Sequence, residues 1–314
     1  MKLAQFRLKG TPEARLGVLT GERLLDVAAL ARAVVMKGKS AAPWLADAAG
    51  MFEVITRGGE GLEELASLVD EDGRGLAEGD ARVAPPPDAV EFLPPVFPRK
   101  ILAIGRNYVD HAIEGGAAPP AAPLIFTKLP NSLAAHRQPI VLHAISSQID
   151  YEAELAVVIG KGGRHIPAAR ALAHVAGYSC FAENSVRDWQ THSRQATPGK
   201  NFERSGAFGP WLVTADDAGP VEKMDVIGRL NGREMQRDSA ANMIFPVPQQ
   251  IAYISTFTTL LPGDVIVTGT PAGVGFTRTP PVWLQPGDRF EVEITGVGLL
   301  SNPVVDEEPS YEGA

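Results

Sequence analysis

The sequence predicts a mixed β fold with some α, and three observations point to it. The 32 glycines and 26 prolines among 314 residues imply many turns, which favours short strands over long helices. After residue 95, eight apolar or alternating runs follow one another, each bounded by Gly, Pro or Asn. Only three stretches among them carry helical spacing.

In chain order, KLAQFRLKG and RLGVLTGE are short β runs, and Leu25 to Val69 is rich in Ala and Leu with helical periodicity. Together they describe a small N-terminal α/β domain over residues 1–95, followed by a second, catalytic domain over 96–314. The boundary falls at ARVAPPPDAVEFLPPVFPRK, where clustered prolines hold the backbone extended and break helices. The strand-like runs beyond it are KILAIG, PLIFTK, YEAELAVVIG, VAGYSCFAE, FGPWLVT, MDVIGRLNG, DVIVTG and RFEVEITG. The helical stretches are IPAARALAHV, a short one from Ser185 to His192 with Ser185 as its N-cap, and PVPQQIAYISTFTTL. Asn231-Gly232 signals a tight hairpin, while LPGD (261–264) and QPGD (285–288) put Pro-Gly at turn centres.

Composition narrows the function. A net charge of −8, from 29 basic against 37 acidic residues, offers no basic field for duplex nucleic acid or a membrane surface. No window approaches 18 consecutive apolar residues, and MKLAQFRLKG carries charge where a signal peptide is apolar, so the expected location is the cytoplasm. The single cysteine, Cys180, sits in an apolar run and reads as a packed core thiol.

The chemistry concentrates in a few places. In Asp150-Tyr151-Glu152-Ala153-Glu154, strand alternation puts Glu152 and Glu154 on one face, about 6–7 Å apart at Cα, from where two carboxylates can converge on one ion. An isolated pair of this kind also fits a solvated strand face. Here, however, Leu155, Val157 and Ile159 mark the other face as buried, and Ala156 and Val158 continue the acidic face as apolar, which suggests a pocket floor. Glu183 lies at the end of another strand-like run and offers a third oxygen ligand. Three carboxylates suit a hard cation, magnesium, manganese or calcium, and neither a Cys pair nor HExxH is present to favour zinc. His111 and Glu114 share a helix face at i and i+3, so the carboxylate can orient the imidazole as a general base, and Gly115-Gly116 behind them suit a lid. The loop TGTPAGVG (268–275) lacks the ending of a P-loop and does not match G-x-G-x-x-G.

Taken in order, GRNYVDHAIE, PLIFTKLPNSL, DYEAELAVVIGK, GYSCFAENSVRDWQ, GKNFERSGAFGPWLVT, NMIF, LPGDVIVTGTPAGVG, LQPGDRFEVEITGVG and LSNPVV resemble the fumarylacetoacetate hydrolase family, above all its bacterial acylpyruvase and 2-hydroxyhepta-2,4-dienedioate isomerase members. The resemblance runs from about Lys100 to Asp306. It implies a β-sandwich roll core, a homodimer, and a divalent cation, magnesium first, held by Glu152, Glu154 and Glu183. It also implies a catalytic set of His111, Glu114, Arg187, Gln190 and Lys200, with Arg106, Lys128, Gln236 and Thr270 near the substrate. The family usually has Asp where Glu183 stands. Met235 and Asn242 are two further departures, and each removes a charge that relatives often carry.

The activity so implied is hydrolytic cleavage of a C–C bond in a small 2-oxo or β-diketo acid of acylpyruvate type, in the breakdown of aromatic compounds. The His–Glu pair activates water, and an enolate is the leaving group. The same scaffold also supports isomerisation or decarboxylation of an oxo-dienoate. A relative that binds metal and ligand without catalysis is the third reading, since fold does not choose among reactions.

Overall fold

The computed structural model describes residues 1–70, 75 and 79–308. Its centre is an eleven-stranded sheet. In spatial order the main path runs Arg23–Asp26, Arg15–Thr20, Lys2–Leu8, Gly206–Thr214, Val175–Ala182, Ala153–Ile159, Val265–Val267, Ile101–Gly105 and Leu124–Lys128. Most pairs are antiparallel, but Val265–Val267 runs parallel to Ile101–Gly105, and Leu133–Ala135 parallel to Gly206–Thr214, so the sheet is mixed. A second, five-stranded sheet is ordered Arg233–Ser239, Asp225–Leu230, Arg289–Ile294, Gly298–Asp306 and Ile140–Leu142. The architecture is the mixed β sandwich with some α that the sequence predicts.

Two apolar cores lie on opposite faces of the large sheet. Leu155, Val157 and Ile159 point into the one shared with the five-stranded sheet, where they meet Val226, Val292 and Leu300. Ala156 and Val158 point the other way, into a core completed by Leu30, Val34, Leu45 and Leu65 from the N-terminal segment. With both faces covered, Ala153–Ile159 is buried along its whole length, and its run of apolar residues follows from that. The N-terminal strands join the same sheet: Lys2 pairs with Val213 and Leu3 with Leu212, so the sheet is continuous between the two predicted units.

The helical periodicity after Leu25 resolves into helices Val27–Met36, Met51–Arg57 and Gly59–Leu68. In the first, Val27, Leu30, Ala31 and Val34 form the buried stripe, and the carboxylate of Asp26 accepts from Ala29 N at 3.0 Å as the N-cap. PVPQQIAYISTFTTL folds as the helix Val247–Phe257. Two expectations are corrected. IPAARALAHV forms a 3₁₀ helix, Ala168–His174, because Pro167 and the strand beginning at Val175 leave room for barely two turns. Ser185 is no helix cap: Ser185–Val186 is extended and pairs with Ile149–Asp150, so the helix starts at Arg187. At Asn231-Gly232 both residues have positive φ, +53° and +79°, as a tight hairpin requires.

One buried side chain ties the chain leaving Ile101–Gly105 to the glycine-rich loop. Asn107 Nδ2 donates to Thr268 O at 2.7 Å and Phe245 O at 3.2 Å, while its Oδ1 accepts from Phe245 N at 2.8 Å. Gly269, at φ +99°, packs so closely that a Cβ there would lie 2.6 Å from Asn107 Cβ. Replacing Asn107 by Ala removes the side-chain partners of Thr268 O and Phe245 N, while Phe245 O keeps Gln250 Nε2 at 2.8 Å, and urea unfolding is expected to show a loss of about 1–3 kcal/mol. A loss under about 0.5 kcal/mol, the range of ordinary surface changes, would mean the tie is not structural.

Candidate metal centre

Glu152, Glu154 and Glu183 come together as the sequence implies. Each offers a carboxylate oxygen, all three within 4.8 Å of one another, and all three residues are buried. The register explains the convergence. Ala153 pairs with Ala182, and Glu183 N donates to Glu152 O at 2.9 Å, so Glu183 emerges beside Glu152 where the two strands part.

Three cations brace this cluster. The Lys200 ammonium donates to Glu152 Oε2 at 2.8 Å and also contacts Glu183 Oε2. Lys128 Nζ donates to the Lys200 carbonyl at 2.6 Å and lies 3.1 Å from Glu183 Oε1. Arg187 Nη2 stands 2.6 Å from Glu152 Oε1 and 2.7 Å from Asp150 Oδ2. Ser185, freed from any capping role, donates its hydroxyl to Glu152 Oε1 at 3.0 Å. Glycine at position 199 lets the Lys200 segment pass under Gln190, since a Cβ there would meet Gln190 N at 2.4 Å.

Glu154 is the exception. It accepts from Gly269 N at 2.5 Å, and among the described residues no cationic side chain forms an ion pair with it. Burial, then the charges of Glu183 and Glu152, push its carboxyl well above the usual carboxylate range. Glu183 is also raised, chiefly by burial, although Lys200 and Lys128 oppose the shift. Glu152 goes the other way: burial works against ionisation, but Lys200, Arg187 and His111 outweigh it and hold the carboxyl below its ordinary value. Lys200 stays above its ordinary value despite burial because Glu152 and Glu183 favour the ammonium.

The balance of charges bears on what this site can hold. With every group ionised, Asp150, Glu152, Glu154 and Glu183 would carry one negative charge more than Lys128, Arg187 and Lys200 neutralise, and the raised carboxyls of Glu154 and Glu183 reflect that imbalance. A dication turns that into one positive charge, which suits an incoming carboxylate. An all-oxygen donor set of converging carboxylates, one of them lacking any cation, fits magnesium or manganese.

His111 and Glu114 lie on the short helix Val109–Glu114, with His111 Nδ1 2.8 Å from Glu114 Oε1. An ionised Glu114 makes Nδ1 the donor of this pair, so that in the neutral ring Nε2 carries the lone pair. Glu114 Oε2 accepts from Gly273 N at 2.9 Å, so the glycine-rich loop holds this helix down.

The remaining predicted residues divide by what they bond. Gln190 accepts from Arg187 Nη1 at 3.0 Å, which orients its amide and leaves the NH₂ as the free end. Gln236 accepts from Ala153 N at 2.9 Å and donates to Thr270 Oγ1 and Pro271 O, both at 2.8 Å, while Thr270 donates to Ala153 O at 2.9 Å. This pair uses its donors to hold the metal strand against the loop. Arg106 is exposed with φ +55° and carries no hydrogen bond or ion pair among the described residues. Met235 packs into the core between the sheets, and Asn242 donates to Asp238 Oδ1 at 2.6 Å on the surface.

Sequence reasoning missed Asp150. It stands at i, i+2, i+4 with Glu152 and Glu154, and that spacing was the available signal. Its carboxylate accepts from Gly275 N at 2.7 Å and Phe276 N at 3.2 Å, and from Arg187 Nε at 2.8 Å. A cavity of about 640 Å³ bounded by Pro86, Phe92, His136 and Trp211 contains none of the triad or dyad residues and plays no part in this chemistry.

A buried carboxylate triad braced by lysines and an arginine, with a His–Glu pair on a short helix tied to the same glycine-rich loop, on a mixed β sandwich, defines a metal-binding class of enzyme. Residues 100–305 match the family described as fumarylacetoacetate (FAA) hydrolase C-terminal, and the chain belongs to that family. It is 43% identical to human mitochondrial oxaloacetate tautomerase FAHD2B over 69% of this chain and 70% of that one. Among solved structures it is similar to fumarylacetoacetate hydrolase from the psychrophile Exiguobacterium antarcticum, with TM-score 0.78 and 35% identity over 98% of this chain and 100% of that one. It is also similar to maleylpyruvate hydrolase from Sphingobium sp. SYK-6 in complex with manganese(II) and pyruvate, with TM-score 0.74 and 29% identity over 98% and 100%.

Because a bound cation requires ionised ligands, and Glu154 and Glu183 are both held towards their protonated forms, metal uptake should release protons and weaken as pH falls. Calorimetry with manganese is expected to show affinity at least about tenfold lower at pH 5.5 than at pH 7.5, and no tight binding to Glu154→Gln. Affinity that is independent of pH, or retained in that variant, would count against the triad as the site.

Proposed function

We propose that this protein is a divalent-metal-dependent enzyme that moves a proton within a small 2-oxo acid of the oxaloacetate kind, interconverting its keto and enol forms. The observation that carries this reading is the pairing of an under-compensated carboxylate triad with a histidine whose free nitrogen is its proton acceptor. A cation held by Glu152, Glu154 and Glu183 would polarise the 2-oxo group and so acidify the neighbouring carbon. His111 Nε2 takes the proton from that carbon, and the resulting imidazolium is stabilised by the Glu114 carboxylate on Nδ1–H. The proton then returns to oxygen, completing the shift with no net change in atoms. The NH₂ of Gln190 is a donor for the substrate carboxylate, and Arg106, without a side-chain partner among the described residues, for a distal one. The human relative's name supports this choice of reaction. A homodimer belongs to the same proposal.

A second reading is hydrolytic cleavage of an acylpyruvate-like C–C bond, favoured by the likeness to maleylpyruvate hydrolase. It uses the same dyad to activate water. It also asks Lys200 to stabilise an oxyanion, although here that ammonium already serves two carboxylates.

The two readings separate on a panel of oxaloacetate, acylpyruvates and oxo-dienoates with the manganese-loaded enzyme. The expected result is a metal-dependent, mass-neutral keto–enol change, lowered about 10²–10⁴-fold in His111→Ala with manganese binding intact. Release of a carboxylic acid and pyruvate would transfer the assignment to the second reading. Undiminished turnover in His111→Ala would remove the base from both.

A further inference from the structure

Arg278 is a half-buried cation whose partners are all neutral. Its Nε donates to Tyr151 Oη at 3.0 Å and Gly273 O at 3.2 Å, and its Nη2 to Gly273 O at 2.8 Å and Met235 O at 2.7 Å. Among the described residues no carboxylate lies within ion-pair distance of it. An ion pair therefore does not explain an arginine here.

The backbone around it does. In the pairing of Asp225–Leu230 with Arg233–Ser239, Gly228 faces Gln236 and Arg229 faces Glu234, so Met235 is a bulge residue without a partner in the register. Arg278 takes up the Met235 carbonyl and joins it to the carbonyl of Gly273. Gly273, at φ +103°, is pressed onto that strand: a Cβ there would lie 2.2 Å from Met235 O. The N–H of the same glycine donates to Glu114, whose other oxygen holds His111.

We propose that Arg278 is a positioning residue for the proton-transfer base: its planar fork locks the Gly273 turn against the Met235 bulge so that Gly273 N–H fixes Glu114, and through it His111. Arginine suits the task because its donors lie in one rigid plane, whereas lysine offers a single flexible ammonium. The inference rests on the reading of His111 as the base, yet the hydrogen bond it concerns can be observed without substrate.

The test uses full-length, magnesium-loaded protein with labelled histidines; only six are present, and His111→Gln assigns the one of interest. Wild type is expected to show a downfield, slowly exchanging Nδ1–H proton on His111, and Arg278→Met and Arg278→Lys to lose it. Turnover should fall about 10–100-fold in kcat with KM and manganese affinity within about threefold, and added ethylguanidinium should restore part of it in Arg278→Ala. Retention of the proton in the variants, its absence from wild type, kcat within about twofold, or a parallel loss of manganese affinity would each overturn the proposal. If the proton is lost as expected while wild type turns over no oxo acid, the positioning role stands and the functional reading falls.

Discussion

Mutual repulsion among four carboxylates gathered in a buried space is the constraint on which the rest of this structure depends. Two like charges about 4 Å apart near a protein surface repel by on the order of 4 kcal/mol, and burial raises the cost further. Lysines and an arginine relieve part of it, and the relief is uneven. Glu152 is held by both Lys200 and Arg187, whereas Glu154 meets only a backbone N–H among the described residues. An arrangement this unfavourable without a counter-charge suits a cation that arrives from solution, and the surroundings push Glu152 down but Glu154 and Glu183 up.

The fold answers the constraint with very few elements. One central strand and the residue just before it carry Glu154 and Glu152, and the end of the adjacent strand brings Glu183 beside them. The loop from Gly269 to Arg278 then joins everything else to it. Gly269 N bonds Glu154, Gly273 N bonds Glu114, and Gly275 N and Phe276 N bond Asp150, which braces Arg187 against Glu152. Triad and dyad are thus held by one stretch of backbone, and their relative placement depends on how that stretch turns. The positive φ at Gly269 and Gly273, with packing that leaves no room for a Cβ, explains why glycine occupies both.

Much of this was legible in the sequence because it rests on local periodicity. The two-residue period of Glu152 and Glu154 and the i, i+3 spacing of His111 and Glu114 belong to a strand and a helix; the helix formed as read, while the strand starts at Ala153 and leaves Glu152 just before it. Asp150 obeys the same period, but its role depends on Arg187 and on the loop, which no local pattern shows. Arg278 was invisible for a stronger reason. Its significance arises from a bulge at Met235 and a turn at Gly273, brought together only when the five-stranded sheet packs on the loop. The pairing of Lys2 and Leu3 with Val213 and Leu212 is equally remote in sequence. Ser185 misled because serine before a short amphipathic stretch is a capping signal, yet here strand pairing claims its backbone and a buried carboxylate its hydroxyl.

The central claim is that Glu152, Glu154 and Glu183 close on a single hard cation. Anomalous diffraction from crystals soaked in manganese tests it directly. The account predicts one strong peak with an oxygen of each of the three side chains at about 2.0–2.3 Å, the bonding range of small hard cations. Side chains turned apart with no peak between them, or a peak held by other residues, would contradict it.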